Sequence, residues 1–241
     1  MKILGVDSSG MVASVAIVEN DILLAEYSVN YKKTHSQTLL PMLDEIVSMT
    51  ELQLEDIDAI AVAAGPGSFT GLRIGSATVK GLGLALDKPV VPVPTCHGLA
   101  YNLWGNDGYI CPIMDARRSQ VYCGIYRFES GRLCVVKEQE ALDIAELVQE
   151  LDSLGERVTF LGDGVPVYHD RIEELMKTEH EYAPAHLNRQ RAGAIAALGA
   201  IYFEQGIFEN ADDHSPIYLR KSQAEREREA ALSKQENGHV I

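Results

Sequence analysis

Twice along this chain a short apolar strand closes on an aspartate and is followed by the same succession of elements. Ile3 to Val6 runs into Asp7, turns at Ser8-Ser9-Gly10, returns over Val12 to Val18, and turns at Asn20-Asp21 into a third strand from Ile22 to Tyr27. A helix pattern follows, with Thr34 and Gln37 at capping-box spacing and Leu39, Leu43, Ile46 and Val47 on one stripe. Ile57 to Ala63 then reads as a buried strand that enters a glycine-rich turn and a second helix. The order repeats further on. Tyr109 to Met114 closes on Asp115, Val121 to Phe128 and Leu133 to Lys137 form a hairpin across Ser130-Gly131, and Asp143 caps a helix carrying Ile144, Leu147, Val148 and Leu151. Val158 to Leu161 ends in Gly162-Asp163-Gly164 before a helix near Val167 to Met176. Two βββαβα units predict a duplicated α/β fold with one subdomain over residues 1–105 and another over 106–220. Pro89 to Gly108 reads as the hinge, Ala192 to Phe203 as one more buried helix, and 221–241 as a charged, solvated tail.

Gly65 to Gly75, read as Gly-Pro-Gly-Ser-Phe-Thr-Gly-Leu-Arg-Ile-Gly, is the most distinctive stretch. A glycine-rich strand-to-helix turn gathers free N–H groups and the positive end of the helix dipole, which suits a phosphate. The run nevertheless fails as a P-loop, because Gly71 is followed by Leu72 and Arg73 instead of Lys and Ser/Thr, and it lacks dinucleotide-loop spacing. Ser68 is placed to cap the helix. From Phe69 to Leu86 the helix is kept slim by Gly71, Gly75, Ser76, Ala77, Gly81, Gly83 and Ala85. Each such glycine costs about 1 kcal/mol relative to alanine, a loss that close packing has to offset. Either the core or a second chain is expected against it.

With 241 residues and 46% hydrophobic content the chain reads as globular. The apolar start, Met1 to Val6, is too short for a signal sequence, and no apolar run reaches the length of a membrane span. Cys96, Cys111, Cys123 and Cys134 form no C-x-x-C pair and predict reduced, structural thiols, and the seven histidines include no pair three or four apart, so no metal site is expected. The net charge of −14 arises from 11 acidic against 6 basic side chains up to Gly105 and 24 against 15 after it. No basic cluster offers a phosphate backbone a binding face.

Ile3-Leu4-Gly5-Val6-Asp7-Ser8-Ser9, His35-Ser36-Gln37-Thr38-Leu39-Leu40-Pro41, Ala64 to Gly75, Asp115-Ala116-Arg117 and Pro216-Ile217-Tyr218-Leu219-Arg220 together resemble the TsaB (YeaZ) family, over essentially the whole chain. The resemblance implies an actin-like (ASKHA) ATPase fold with a degenerate nucleotide cleft. It also implies a non-catalytic role beside the TsaD transferase, in threonylcarbamoyl modification of adenosine 37 in tRNAs reading codons that begin with A. The small ATPase TsaE joins that complex, and tRNA is met through it. The partner surface so implied comprises His35, Ser36, Leu39, Leu43, Ile46, Val47, Phe69, Gly71, Leu72, Gly75 and Ala77, and the vestigial cleft Asp7, Ser8, Ser9, Asp115 and Arg117. Asp7 with Ser8-Ser9-Gly10 keeps a first phosphate turn; Asp115-Ala116-Arg117-Arg118 has no glycine for a second, and Gly162-Asp163-Gly164 is a fragment of an adenosine loop. Where TsaD carries two histidines four apart, His35 here is followed by Leu39. The implied protein is cytoplasmic, with no cofactor or metal of its own and with ATP or ADP only in the complex; both a monomer and a homodimer are compatible with the sequence. A small-molecule kinase of the same superfamily, with Asp7 holding metal and Asp115 as base, is the alternative. A peptidase would require H-E-x-x-H, G-x-S-x-G or a cysteine dyad, and the chain has none of these.

Overall fold

The computed structural model describes residues 1–220, so the charged tail expected from 221 lies outside the described residues. The first unit contains β1 (Lys2–Asp7), β2 (Ala13–Glu19), β3 (Ile22–Val29), α1 (His35–Thr50), β4 (Ala59–Gly65), α2 (Phe69–Leu86), β5 (Val90–Pro94) and α3 (Thr95–Tyr101). The second contains β6 (Tyr109–Asp115), β7 (Gln120–Glu129), β8 (Arg132–Asp143), α4 (Ile144–Leu154), β9 (Val158–Leu161), α5 (Val165–Leu175), β10 (His180–Tyr182) and α6 (Ala192–Glu204). The repeat is longer than the sequence patterns indicate: each half is βββαβαβα. The two sheets share one strand order, β3-β2-β1-β4-β5 and β8-β7-β6-β9-β10. In both, the first three strands are antiparallel and the last two join in parallel.

Local chemistry explains several boundaries. Asn20-Asp21 and Ser130-Gly131 all take positive φ, the geometry a two-residue hairpin needs to match strand twist. Ser68 Oγ accepts the Gly71 N–H at 3.2 Å, and Asp143 Oδ1 accepts the Ala145 N–H at 2.8 Å, so both predicted caps form. Thr34 occupies the N-cap of α1, but its side chain makes no cap bond; the capping box with Gln37 is replaced by a backbone bond from the Gln37 N–H to the Thr34 carbonyl at 2.9 Å.

The segment expected as a hinge holds regular structure. Pro89 to Gly108 contains a strand and a helix, because β5 is an edge strand, where Pro92 and Pro94 lose little by lacking an N–H. Val90 is paired on its free side with Glu209 through two 2.9 Å backbone bonds.

Each half covers one face of its own sheet and one face of the other's. Leu4, Val6, Val15 and Ile17 pack under α1 and α2, and Cys111, Ile113, Val121 and Phe160 under α4 and α5. On the opposite faces the last helices cross over. α3 brings Cys96, Leu99 and Ala100 against Ile110, Met114, Tyr126 and Leu161 of the second sheet. α6 brings Ile195, Ala196 and Leu198 against Ile3, Ala61, Val91 and Val93 of the first. The C-terminal subdomain therefore does not run unbroken over 106–220, since Ala192–Glu204 returns to the first sheet. This second covering layer is why the central strands are apolar on both faces.

The inner glycines of α2 pack within the chain. A Cβ at Gly75 would lie 2.3 Å from Ser8 Oγ, and one at Gly71 would lie 2.1 Å from the Ser8 carbonyl, whereas Gly81 has nothing within 4 Å. Gly75→Arg is therefore expected to destabilise the isolated chain by more than about 3 kcal/mol through overpacking and a buried charge. Gly81→Ala is expected to stabilise it by up to about 1 kcal/mol through helix propensity. Urea denaturation followed by circular dichroism measures both; an unperturbed Gly75→Arg fold would contradict the packing.

Candidate functional site

β1 and β6 occupy equivalent positions in their sheets, and Asp7 and Asp115 close them at the cleft between the two halves. The two aspartates live in different environments. Asp7 is 2% exposed, and its Oδ1 accepts both the backbone N–H of Ser9 at 2.9 Å and the Ser9 hydroxyl at 2.7 Å. Burial raises its pKa from 3.8 to about 6, partly countered by the Ser9 bonds, with the charge of Asp163 adding to the rise. Asp163 is itself raised by burial, against the Asp115 N–H that it accepts at 3.3 Å and the nearby Arg189. Two carboxylates thus share the cleft floor.

The first phosphate turn is consumed internally. Ser9 gives its N–H to Asp7, Ser8 Oγ donates to the Gly71 carbonyl at 2.8 Å, and the Ser68 N–H is bound to the Ser9 carbonyl at 2.7 Å. His35 Nε2 donates to the Gly10 carbonyl at 2.8 Å. The buried Gln190 amide covers Gly10, where a Cβ would come within 2.4 Å of it. Asp7-Ser8-Ser9-Gly10, expected as the first phosphate turn of a vestigial cleft, has its Ser9 N–H and the space over Gly10 taken by the chain's own atoms. These residues do not fit a nucleotide phosphate.

The second turn fits one no better. Asp115 is exposed, and its Oδ1 accepts the Arg117 N–H at 2.8 Å and the Tyr168 hydroxyl at 3.1 Å. Arg117, Arg118 and Ser119 have φ of 62°, 58° and 60°, a left-handed run without glycine that costs about 1–2 kcal/mol per residue. Gly162 and Gly164 are explained by β6, because a Cβ on either would press on the Ile113 carbonyl, at 2.2 and 2.9 Å. Among the described residues no group of three or more His, Cys, Asp or Glu side chains is placed to hold a metal ion.

The expected partner surface divides in two. Leu39, Leu43 and Ile46 are buried in the first core with Val47 packed beside them, and Leu72, Gly71 and Gly75 face inward too. Their assignment to a partner surface is corrected, since an apolar stripe at helical spacing looks the same whether a sheet or a second chain covers it. His35 and Phe69 are half-buried, and Ser36 and Ala77 are exposed. The outward side of the pair is instead Leu40 and Met49 of α1, 56% and 77% exposed, together with a stripe along α2 of Thr70, Arg73, Ala77, Gly81, Leu84 and Ala85. That stripe follows i, i+3, i+4 spacing, so the exposed side of the same glycine-rich helix was readable once its inner face was known.

The buried Asp7 carboxyl gives the cleft a pH signature. Between 3.8 and about 6 the folded chain holds a proton that the unfolded chain has released, so stability falls as pH rises through that window. Asp7→Asn keeps an acceptor for Ser9 without the charge. The variant's stability relative to the unmodified chain is expected to rise by up to about 3 kcal/mol between pH 4 and pH 7, in urea titrations at a series of pH values. A difference that stays constant with pH would overturn it.

The family model "TsaD: tRNA N6-adenosine threonylcarbamoyltransferase" matches residues 23–228. The chain is 35% identical to the tRNA threonylcarbamoyladenosine biosynthesis protein TsaB of Bacillus subtilis (strain 168), over 93% of this chain and 96% of that protein. It superposes on YeaZ from Pseudomonas aeruginosa with a TM-score of 0.79 at 26% identity, covering 90% of this chain and 99% of the other. An inorganic polyphosphate/ATP-glucomannokinase from Arthrobacter sp. strain KM, with a TM-score of 0.51 at 12% identity over 85% of this chain and 99% of its own, shares the fold alone. The architecture is thus a two-subdomain actin-like ATPase fold, and the chain belongs to the TsaB (YeaZ) family.

Proposed function

We propose that this chain is the non-catalytic partner of a TsaD-type threonylcarbamoyltransferase in the formation of t6A at adenosine 37 of tRNAs that read codons beginning with A. The observation that carries the reading is the outward face of α1 and α2. Leu40, Met49 and Leu84 are exposed beside Ala77, Gly81 and Ala85, on a helix slim enough for another backbone to approach closely. Its relatives' place in threonylcarbamoyladenosine biosynthesis supports the pathway, and the acidic cleft, with Gln190 over Gly10, supports a role without nucleotide turnover in the isolated chain. ATP or ADP then belongs to the assembled complex, which TsaE joins. A cytoplasmic setting suits the free, buried thiols of Cys96, Cys111 and Cys123. Among the described residues no helix is long and apolar enough to cross a membrane.

The kinase alternative loses ground on geometry. A metal-holding Asp7 would have to face a phosphate, but it is buried against Ser9, and Asp115 is already bonded to Arg117 and Tyr168.

Co-expression with the organism's TsaD-type transferase followed by size-exclusion chromatography tests the reading, with a stable complex expected. Gly81→Arg, at a position open to solvent, is expected to keep the thermal transition of the isolated chain and to abolish co-elution; wild-type co-elution by this variant would remove α2 from the interface. With a net charge of −14 the chain by itself is expected to show no tRNA shift in a gel assay near physiological salt. Tight, salt-sensitive binding would contradict the assignment of tRNA contact to the complex.

A further inference from the structure

The Pro216 to Arg220 motif is not explained by the cleft or by the core, and its position gives it a task. Ile217 donates its N–H to the Ala64 carbonyl at 2.7 Å, at the end of β4, and the segment approaches Gly65 so closely that a Cβ there would lie 2.2 Å from the Ile217 carbonyl. Three residues on, Arg220 Nη1 donates to the Ala116 carbonyl at 2.8 Å, on the other half of the molecule. Between these anchors Tyr218 lies over Phe69, with ring centroids 4.2 Å apart and planes at 22°.

Arg73 completes this stack. Phe69 and Arg73 are four residues apart on α2, and the guanidinium carbon sits 4.3 Å from the Phe69 ring centroid. Its Nε donates to the Tyr218 hydroxyl at 3.2 Å. The side chain is therefore fixed at two points, and among the described residues neither terminal nitrogen makes a hydrogen bond. Arg73 is exposed, and among the described residues it forms no ion pair, in a chain with 35 acidic residues. α2 carries no acidic residue of its own, and its other cation, Lys80, is bound to the carbonyls of Asp212 and His214 at 2.8 and 3.1 Å.

We infer that Arg73, stacked on Phe69 and pinned by Tyr218, is a preorganised docking point for a carboxylate of the partner protein, seated at the end of the α2 stripe of Ala77 and Gly81. The inference rests on the reading that this stripe meets the transferase, and it names the chemistry of that contact. A planar guanidinium matches a carboxylate with two parallel N–H bonds, and an arginine already held in place loses little further side-chain freedom on binding. Arg73, without an ion pair among the described residues and held on a chain of net charge −14, supplies the complementarity, so the partner residue is an Asp or Glu. Tyr218 acts as a positioning residue, and the Ile217 and Arg220 anchors keep it there.

The experiment measures the dissociation constant between the full chain and the TsaD-type transferase by titration calorimetry at two ionic strengths. Arg73→Ala is expected to weaken binding by about tenfold or more while leaving the thermal transition of the isolated chain in place. Arg73→Lys, which keeps the charge and loses the planar fork, is expected to weaken binding to a similar extent, and Tyr218→Phe by a few-fold. Added salt is expected to weaken the wild-type pair more than the Arg73→Ala pair. Wild-type binding with Arg73→Ala and Arg73→Lys both within twofold of it would overturn the inference and leave the proposed function standing. Absence of wild-type binding would overturn both. Should Arg73→Ala fail to fold, Arg73→Lys and Tyr218→Phe decide the matter by the same criterion.

Discussion

Everything in this molecule depends on the exchange of its two terminal helices. Each sheet has two faces to cover, and each half of the chain supplies only enough helix from its own middle to cover one. α3 and α6 cover the others by crossing to the opposite sheet, so neither half can complete its core without the second. The crossing is tight enough to dictate residues: a Cβ at Gly199 would come within 2.4 Å of the Ala61 Cβ, and one at Gly5 within 2.4 Å of the Ala192 carbonyl. Alanine-rich α6 is slim for this reason, and its close fit converts two similar units into one body with a cleft between them.

The cleft inherits the geometry of a nucleotide site without its chemistry. In a working site of this kind, free turn amides and a bound cation would meet the phosphates. Here the Ser9 amide is bonded to Asp7, Gln190 covers Gly10, and the carboxylates of Asp7 and Asp163 disfavour a further negative charge. The turn after Asp115 keeps its left-handed path with Arg117, Arg118 and Ser119 in it although no glycine relieves the strain, and it is held by the Arg117 N–H bond to Asp115 and by the Arg117 and Ser119 carbonyls, which accept from the Gln120 and Ile144 N–H groups.

α2 carries the link from fold to function because it is slim on two sides for two reasons. Its inner glycines let it settle on the turn after β1, where Ser8 Oγ reaches the Gly71 carbonyl. Its outer small residues leave a surface with little side chain in the way, bounded by Leu84 and by the Phe69–Arg73–Tyr218 stack. The turn that opens the helix is held from the other side by the Pro216 to Arg220 segment, so the outer face is tied through Arg220 to the second half of the molecule.

The sequence by itself determined the local elements and their duplication. Strands that close on Asp7 and Asp115, hairpins at Asn20-Asp21 and Ser130-Gly131, caps at Ser68 and Asp143, and the buried character of Ala192 to Phe203 all follow from short-range patterns of turn chemistry and hydrophobic period, and all are present. The capping box at Thr34 failed because a backbone bond satisfies the same donor. Pro89 to Gly108, expected as a hinge, carries β5 and α3, because proline forbids only central pairing and an edge position exempts it. What only the tertiary structure decided is direction. Leu39, Leu43, Ile46, Gly71 and Gly75 carry a pattern that says a helix face is covered, and nothing in the pattern says by what; Ser8 and the first sheet turned out to cover it. Arg73 was likewise unreadable as a site, since its two fixing contacts run to Phe69, four residues away, and to Tyr218, 145 residues away. Periodicity is a property of the neighbouring residues along the chain, whereas the partner of a face is chosen by contacts between distant segments that no local spacing records.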